Sequence, residues 1–231
     1  LGDGTVVNKC SPVSVVGGFT DWCQVSAGYH SLGLRSNGTL WSWGWNCGGQ
    51  LGDGTGGVGS GKCSPVSVVG GFTDWCQVSA NNHSLGLRSN GTVWAWGYND
   101  ARQLGDGTAT NRSSPVSVIG GFTDWCQVSG GREHSLGVRS NGTLWAWGYN
   151  YYGQLGDGFG FPYFLQKSIS GDNYTSVAAN KDNTLFTKSD TSMWSAGNNS
   201  YGVLGASTTT AYSSPVQIGS INISTIKVDT K

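Results

Sequence analysis

Three histidines, His30, His83 and His134, each open the same His-Ser-Leu-Gly run, one per repeat of the chain. Imidazole titrates near neutrality and ligates metals, so chemistry would be sought there first. Their placement argues against it. Residues at one repeated position are spread along an array rather than gathered at ligand-bonding distance, and a catalytic group needs neighbours of its own. No Ser/His/Asp or Cys/His set stands apart from the repeat. The spacing predicts hydrogen-bonding strand residues, with no catalytic residue, metal or cofactor.

Asp3, Asp53, Asp106 and Asp157 sit in Gly-Asp-Gly turns. A calcium loop of the EF-hand kind needs several further oxygen ligands at alternate positions. The calcium-roll pattern Gly-Gly-x-Gly-x-Asp is broken at Leu51 within Gly48–Asp53. These aspartates are read as turn formers. No glycine-rich stretch carries the lysine of a phosphate-cradling loop.

Six cysteines fall into two groups. Cys23, Cys76 and Cys126 share one repeated position and, by strand alternation with Val25, Val78 and Val128, are expected to be small buried core residues. Cys47 and Cys63 flank the glycine-rich loop 48–62. The next period loses both together, with Asp100 and Ser113 in their places. That joint absence predicts a Cys47–Cys63 disulfide closing a loop of about 15 residues, and with it an oxidising setting. Cys10 matches Cys63, and its partner would lie before residue 1.

The frame that must position these residues is a repeat of about fifty residues. Leu-Gly-Asp-Gly starts at Leu1, Leu51, Leu104 and Leu155, with a worn Leu204-Gly205 after them. The periods are 1–50, 51–103, 104–154, a divergent 155–203 and a partial 204–231, forming one array. The opening residues match the interior of a repeat, so residue 1 is expected not to be the biological start. Four short strands are expected per period, at Val13–Val16, Trp22–Ser26, Ser31–Arg35 and Thr39–Trp43 and their equivalents. The partial period is expected to end after its second strand. No stretch has helical periodicity.

Asn37-Gly38, Asn90-Gly91 and Asn141-Gly142 are tight-hairpin signals. With Asn37 and Gly38 as a two-residue loop, Leu34 faces Trp41 and Leu32 faces Trp43. Leu32, Leu34, Trp41 and Trp43 then share one face, and Gly33 and Ser42 the other. A sheet with one bulky and one bare face buries its indoles only by stacking on a copy of itself. The core is therefore expected to hold Trp41, Trp43, Trp94, Trp96, Trp145 and Trp147 in an all-β propeller of about four blades plus a partial one. In the fourth period Phe186 replaces Gly137, and Ala196 replaces Trp147. Altered faces predict a different neighbour, as at the end of an array. Arg35, Arg88 and Arg139, just before the turns, are read as a solvated ring.

Charge is balanced, 13 basic against 13 acidic residues, which argues against nucleic acid. No apolar run has the length of a membrane span. What varies between near-identical units is the loops at 45–49, 98–102 and 149–153, at 56–62 and 109–112, and at 27–29, 81–82 and 130–133. Loops on a rigid frame carry binding specificity. Trp45, Tyr98, Tyr149, Tyr151 and Tyr152 are the candidate contact residues.

The run His-Ser-Leu-Gly-Leu-x-Ser-Asn-Gly-Thr-Leu-Trp-x-Trp-Gly-x-Asn-x-x-Gly-Gln-Leu-Gly-Asp-Gly-Thr resembles the regulator of chromosome condensation repeat, strongly over Leu1–Val203 and weakly after Leu204. WD and kelch propellers have similar periods, but Asp21-Trp22 is not a strand-ending Trp-Asp, and the Gly pairs lack the kelch spacing of Tyr and Trp. The resemblance implies a ring usually of about seven blades, so four and a half would leave edges for missing sequence or a partner. Verbatim repeats, the expected disulfide and the aromatic loops predict a non-enzymatic binding or structural module. On that reading it belongs to a viral or bacterial surface member of the family, displayed on a virion, as a fibre, appendage or decoration, or on an extracellular surface. It would contact a protein or glycan partner, other virion proteins, or further copies or upstream repeats of its own chain. The alternative that the resemblance implies is a guanine nucleotide exchange factor or scaffold for a small GTPase. A plant-type ultraviolet sensor fits less well, because Gly28-Tyr29-His30-Ser31 departs from that branch's Gly-Trp-Arg-His-Thr.

Overall fold

The computed structural model describes residues 1–160, 163–171 and 173–218, with the backbone alone for 163–165. Its strands form four antiparallel sheets, each a four-stranded meander. The first holds β1 (Trp22–Ala27), β2 (His30–Arg35), β3 (Leu40–Gly44) and β4 (Lys62–Ser67). The second holds β5 (Trp75–Ala80), β6 (His83–Arg88), β7 (Val93–Gly97) and β8 (Arg112–Ser117). In the third are β9 (Trp125–Gly130), β10 (His134–Arg139), β11 (Leu144–Gly148) and β12 (Tyr163–Ser168). The fourth has β13 (Tyr174–Ala179), β14 (Asn183–Lys188), β15 (Met193–Gly197) and β16 (Tyr212–Gln217). These are propeller blades, and each takes its outer strand from the following period. Ser64-Pro65-Val66-Ser67 therefore pairs with Trp41 and Ser42 of the previous unit, and proline is tolerated because that strand is an edge. Val13–Val16, expected as a strand, is not one, since no described sheet precedes it. The second strand expected in the partial period lies outside the described residues.

The hairpin register differs by one residue from the sequence expectation. Gly33 pairs with Trp41, Leu32 with Ser42 and Leu34 with Leu40. The Gly38 N–H donates to the Arg35 carbonyl, and the Arg35 N–H to that of Thr39. Only Gly38 of the Asn-Gly pair has positive φ, 76°. The turn is thus a type I turn followed by a left-handed glycine, a longer loop than the two-residue form. A one-residue slip turns side chains to the opposite face. Leu32, Leu34, Leu40 and Ser42 share one face, and Gly33, Trp41 and Trp43 the other.

That exchange explains the packing. The leucine face of each blade receives the tryptophan face of the next: Leu85, Leu87, Val93 and Ala95 cluster with Trp125, Val128 and Trp147. Glycine makes room within the tryptophan face, because a Cβ on Gly86 would lie 2.5 Å from the Trp75 ring. Trp43, Trp96 and Trp147 are buried, whereas Trp41, Trp94 and Trp145 are half-buried. Trp75 and Trp125 are core residues that the hairpin pattern did not include. Each buried indole removes roughly 200 Å² from water, about 5 kcal/mol of gross stabilisation.

The fourth blade does not have a different kind of neighbour. Tyr174 stands where the other blades have tryptophan, at 5.4 Å edge-to-face with Phe186. Phe186 packs into the Leu136–Ala146 face of the third blade. A smaller ring at one site is offset by a larger side chain at Gly137's position, so the swap conserves volume.

Side chains also tie blade to blade. Gln77 Nε2 donates to the Val128 carbonyl (3.1 Å), and the Val128 N–H donates to Gln77 Oε1 (3.0 Å). Gln24 does the same for Val78. The blades follow one another as an arc with uncovered end faces. Val25 is 70% exposed where Val78 and Val128 are 3% and 2%.

The cysteine expectations need correction. All six are free thiols, Cys47 and Cys63 included. The loop that a disulfide would have closed is held instead by Asn46, which accepts from the Leu51 N–H and donates to Thr55. Asn99 and Asn150 make equivalent bonds in the following units, so the next period can lack both cysteines and still form its loop. Cys23, Cys76 and Cys126 are exposed rather than core. A bulge between Trp22 and Gln24, repeated at β5 and β9, breaks the alternation at that residue.

The arginine ring is not merely solvated. Arg88 Nε donates to Asp74 at 2.8 Å and its guanidinium lies 4.0 Å above the Phe72 ring. Arg35 and Arg139 repeat this with Asp21–Phe19 and Asp124–Phe122. The Gly-Gly-Phe-Thr-Asp-Trp segment is thus a latch on the hairpin turn.

Candidate partner-binding face

The histidines stand behind this face and brace it. His30 Nε2 lies 2.6 Å from Ser84 Oγ, His83 Nε2 2.7 Å from Ser135 Oγ, and His134 Nε2 3.2 Å from Thr184 Oγ1. Each hydroxyl donates onward to the main-chain oxygen of Gln50, Gln103 or Gln154. Trp96 and Trp147 donate their indole N–H to the Gln50 and Gln103 oxygens (both 2.9 Å). Burial pushes His83 down to about 3, helped by the charges its neighbours His134 and His30 would carry. Burial alone pushes His134 down to about 4, and His30 falls to about 4 against a smaller opposing pull from the Asn81 backbone. The rings are neutral, spaced one per blade boundary, and structural.

The Gly-Asp-Gly aspartates cap their own turns. Asp106 accepts from the Thr108 N–H and hydroxyl, and Arg112 Nε donates to it at 2.7 Å. Burial raises its carboxyl, but Arg112, Thr108 and Asn99 outweigh that and hold it below the usual range. Among the described residues no group of three or more His, Cys, Asp or Glu could hold a metal ion. No helix is long and apolar enough to cross a membrane.

The variable loops come together in front of the histidines. Trp45, Tyr98 and Tyr149 line one cleft of about 440 Å³ with Asn82, Asp100, Arg102, Gln103 and Glu133. Trp45 lies 5.4 Å from both Tyr98 and Tyr29. Tyr151 and Tyr152 are outside the cleft: Tyr151 stacks on Tyr149 at 6.3 Å, stands 70% exposed, and meets Tyr152 edge-on. Burial raises the Tyr149 hydroxyl pKa, with Tyr152, Glu133 and Asp182 adding to it.

Two parts of this face were not among the candidate residues. Arg102 has φ 65°, a left-handed conformation, at the position of Gly49, Gly153 and Gly202 in the other units. A side chain there costs about 1 kcal/mol or more, and it lines the cleft. The second part is a cavity of about 530 Å³ lined by Ala27, Gly28, Tyr29, Asn81, Arg132, Asn180 and Lys181. It draws on all four blades, so it lies at the axis of the arc. A one-residue difference in repeat length, argued below, is the sequence signal for it.

The fold and the site define a β-propeller array whose blades are regulator of chromosome condensation repeats. Models of the Regulator of chromosome condensation (RCC1) repeat match residues 90–138 and, in a second form, 22–50 and 125–154. The chain is 34% identical over 131 residues to the protein RCC2 homolog of Danio rerio, covering 55% of this chain and 26% of that protein. Among solved structures it superposes on human WBSCR16 with TM-score 0.81 and 21% identity, over 94% of this chain and 59% of that one. It superposes on Prp20p of Saccharomyces cerevisiae with TM-score 0.76 and 18% identity, over 88% and 52%. The chain thus spans about a quarter of the curated relative's length.

These relatives are eukaryotic, and no disulfide is present among the described residues. Viral or bacterial display, as a fibre, adhesin or decoration on a virion or extracellular surface, is therefore set aside. It had rested on the expected Cys47–Cys63 bond and on near-verbatim repetition, which the blade-to-blade packing explains without it.

Proposed function

We propose that this chain is a non-enzymatic protein-binding platform, of the kind that serves as exchange factor or scaffold for a small GTPase. The observation that carries the reading is the division of labour on one face. A constant frame of His, Ser, Gln and Trp bonds supports loops that differ between units and present Trp45, Tyr98, Tyr149 and Tyr151. Rigid aromatic side chains on a fixed scaffold suit protein recognition, because they bury large area at small entropic cost. The solved structure of Prp20p is described with its binding to Gsp1p and histones. A protein partner at this face is the corresponding proposal here.

Nucleotide release from a panel of small GTPases tests it. Acceleration by this chain, weakened at least about tenfold in Trp45→Ala/Tyr98→Ala, is the expected result for an exchange factor. Saturable binding without acceleration defines a scaffold. Neither outcome with any member overturns the GTPase reading.

A further inference from the structure

The turns between the first two strands of each blade differ in a regular way. In the first two blades they close over one residue: the Gly28 N–H donates to the His30 carbonyl and the Asn81 N–H to that of His83. In the third and fourth, the Gly131 N–H reaches His134 and the Asn180 N–H reaches Asn183, so each turn holds one residue more. Glu133 and Asp182 keep the framework role of Tyr29, offering their carbonyls to Tyr149, Asn198 and Trp45 in turn. The added residues are Arg132 and Lys181. Both insertions bring a cation, in neighbouring blades, to the same axial cavity.

The two turns touch, the Arg132 N–H donating to the Lys181 carbonyl at 3.3 Å. Like charges brought together repel unless an anion lies between them. The cavity lining contains no carboxylate; besides the two cations it offers the Asn81 and Asn180 amides and Tyr29. Glu133, outside the lining, reaches Arg132 Nε at 3.4 Å, a long and largely exposed pair that leaves most guanidinium donors to a ligand. We propose that the axial cavity is an oxyanion site, which takes a carboxylate or phosphoryl group on an acidic segment of a protein partner. The proposal rests on the protein-binding reading above. Planar guanidinium and ammonium donors make short, charge-assisted bonds to such groups. Two cations in a chain of zero net charge do not make the stripe that a nucleic-acid backbone requires.

The test is fluorescence anisotropy at 50 mM and 300 mM NaCl with three labelled peptides of equal length. One carries four glutamates, one four phosphoserines and one four glutamines. Saturable binding of either acidic peptide, weakened by salt and displaced by inorganic phosphate, is expected; the tighter of the two assigns the oxyanion. Arg132→Gln/Lys181→Gln is expected to lose about tenfold or more in affinity with unchanged Tm, whereas Lys62→Gln, a cation elsewhere, is unaffected. Arg132→Lys/Lys181→Arg retains binding within about twofold and serves if the first variant fails to fold. Acidic peptides binding no better than the glutamine peptide overturn the site, as does wild-type affinity in Arg132→Gln/Lys181→Gln or equal loss in Lys62→Gln. Retained GTPase binding in Arg132→Gln/Lys181→Gln separates failure here from failure of the aromatic face.

Discussion

His83 Nε2 sits 2.7 Å from Ser135 Oγ, a hydroxyl of the next blade that itself donates to the Gln103 carbonyl. The serine proton is committed, so the imidazole must be the donor, and its tautomer is Nε2–H. Nδ1 is then a bare acceptor, and it is buried without a hydrogen-bond partner among the described residues, as is that of His134. A second proton would be a buried donor facing nothing.

Acid sensitivity follows with a definite sign. The folded pKa values, about 4, 3 and 4 for His30, His83 and His134, lie below the ordinary 6.5. Below pH 6.5 the unfolded chain binds protons that the folded chain refuses, so stability is complete above that pH and falls toward pH 4. Each histidine contributes about 1.4 kcal/mol per pH unit in that window. Carboxylates held below their usual range, such as Asp21 through its Arg35 bond, act at lower pH. Urea unfolding from pH 7 to 4.5 is expected to show uptake approaching three protons, reduced by about one in His83→Gln. A flat profile would mean the rings can be protonated in place.

Gly86→Ala is expected to destabilise by about 1–3 kcal/mol. The backbone at Gly86 is ordinary strand, so the cost is steric: the new methyl would lie 2.5 Å from the Trp75 ring. Trp75→Phe in the same chain should recover part of the loss, as Tyr174 with Phe186 does naturally. Denaturant midpoints of the two single variants and the double decide it, and strict additivity would deny the contact.

Much of the propeller was legible because the repeats print their strands in sequence. Gly38 between alternating runs marked each hairpin, and the Trp/Gly contrast demanded stacking. The register was not legible, because Asn-Gly fits both a two-residue loop and a type I turn followed by a left-handed glycine. That single residue exchanged which side chains share the face of Trp41. Cys23 was misplaced by a bulge, which leaves no mark in a period-two pattern. The aromatic loops were visible as differences among copies. Arg132 and Lys181 were hidden because comparing residue types overlooked that the turn itself had lengthened.

Asn99 is expected to matter more than any surface loop residue. Its amide donates to Asp106 (3.0 Å) and to the carbonyls of Thr108 and Thr110 (both 3.1 Å), while its oxygen accepts from the Leu104 N–H. Asn99→Ala leaves several buried groups unpaired, for about 2–4 kcal/mol. Asn99→Asp should be worse, since it sets a second carboxylate against Asp106. Hydrogen exchange at the Leu104 amide reads the effect locally, and unchanged protection there would count against the hub.

The thiols offer a direct check on how the loop between Cys47 and Cys63 is held. Both residues border one cavity of about 580 Å³, so proximity alone does not distinguish a bond from two thiols. Asn46 supplies the loop's closure through its bonds to Leu51 and Thr55, and the Gly57 N–H donates to the Cys47 carbonyl at 3.0 Å. Because that closure does not use sulfur, Cys47→Ser and Cys63→Ser should each change stability by less than about 0.5 kcal/mol. Loss of a disulfide across a loop of about 15 residues would cost up to roughly 3 kcal/mol. Protein prepared without reductant and denatured should titrate six thiols with Ellman's reagent. In the native state the exposed Cys10 and Cys63 should react ahead of Cys76 and Cys126, whose thiols are pushed up by burial. A titre of four, with a large loss in either serine variant, would return the staple to sulfur.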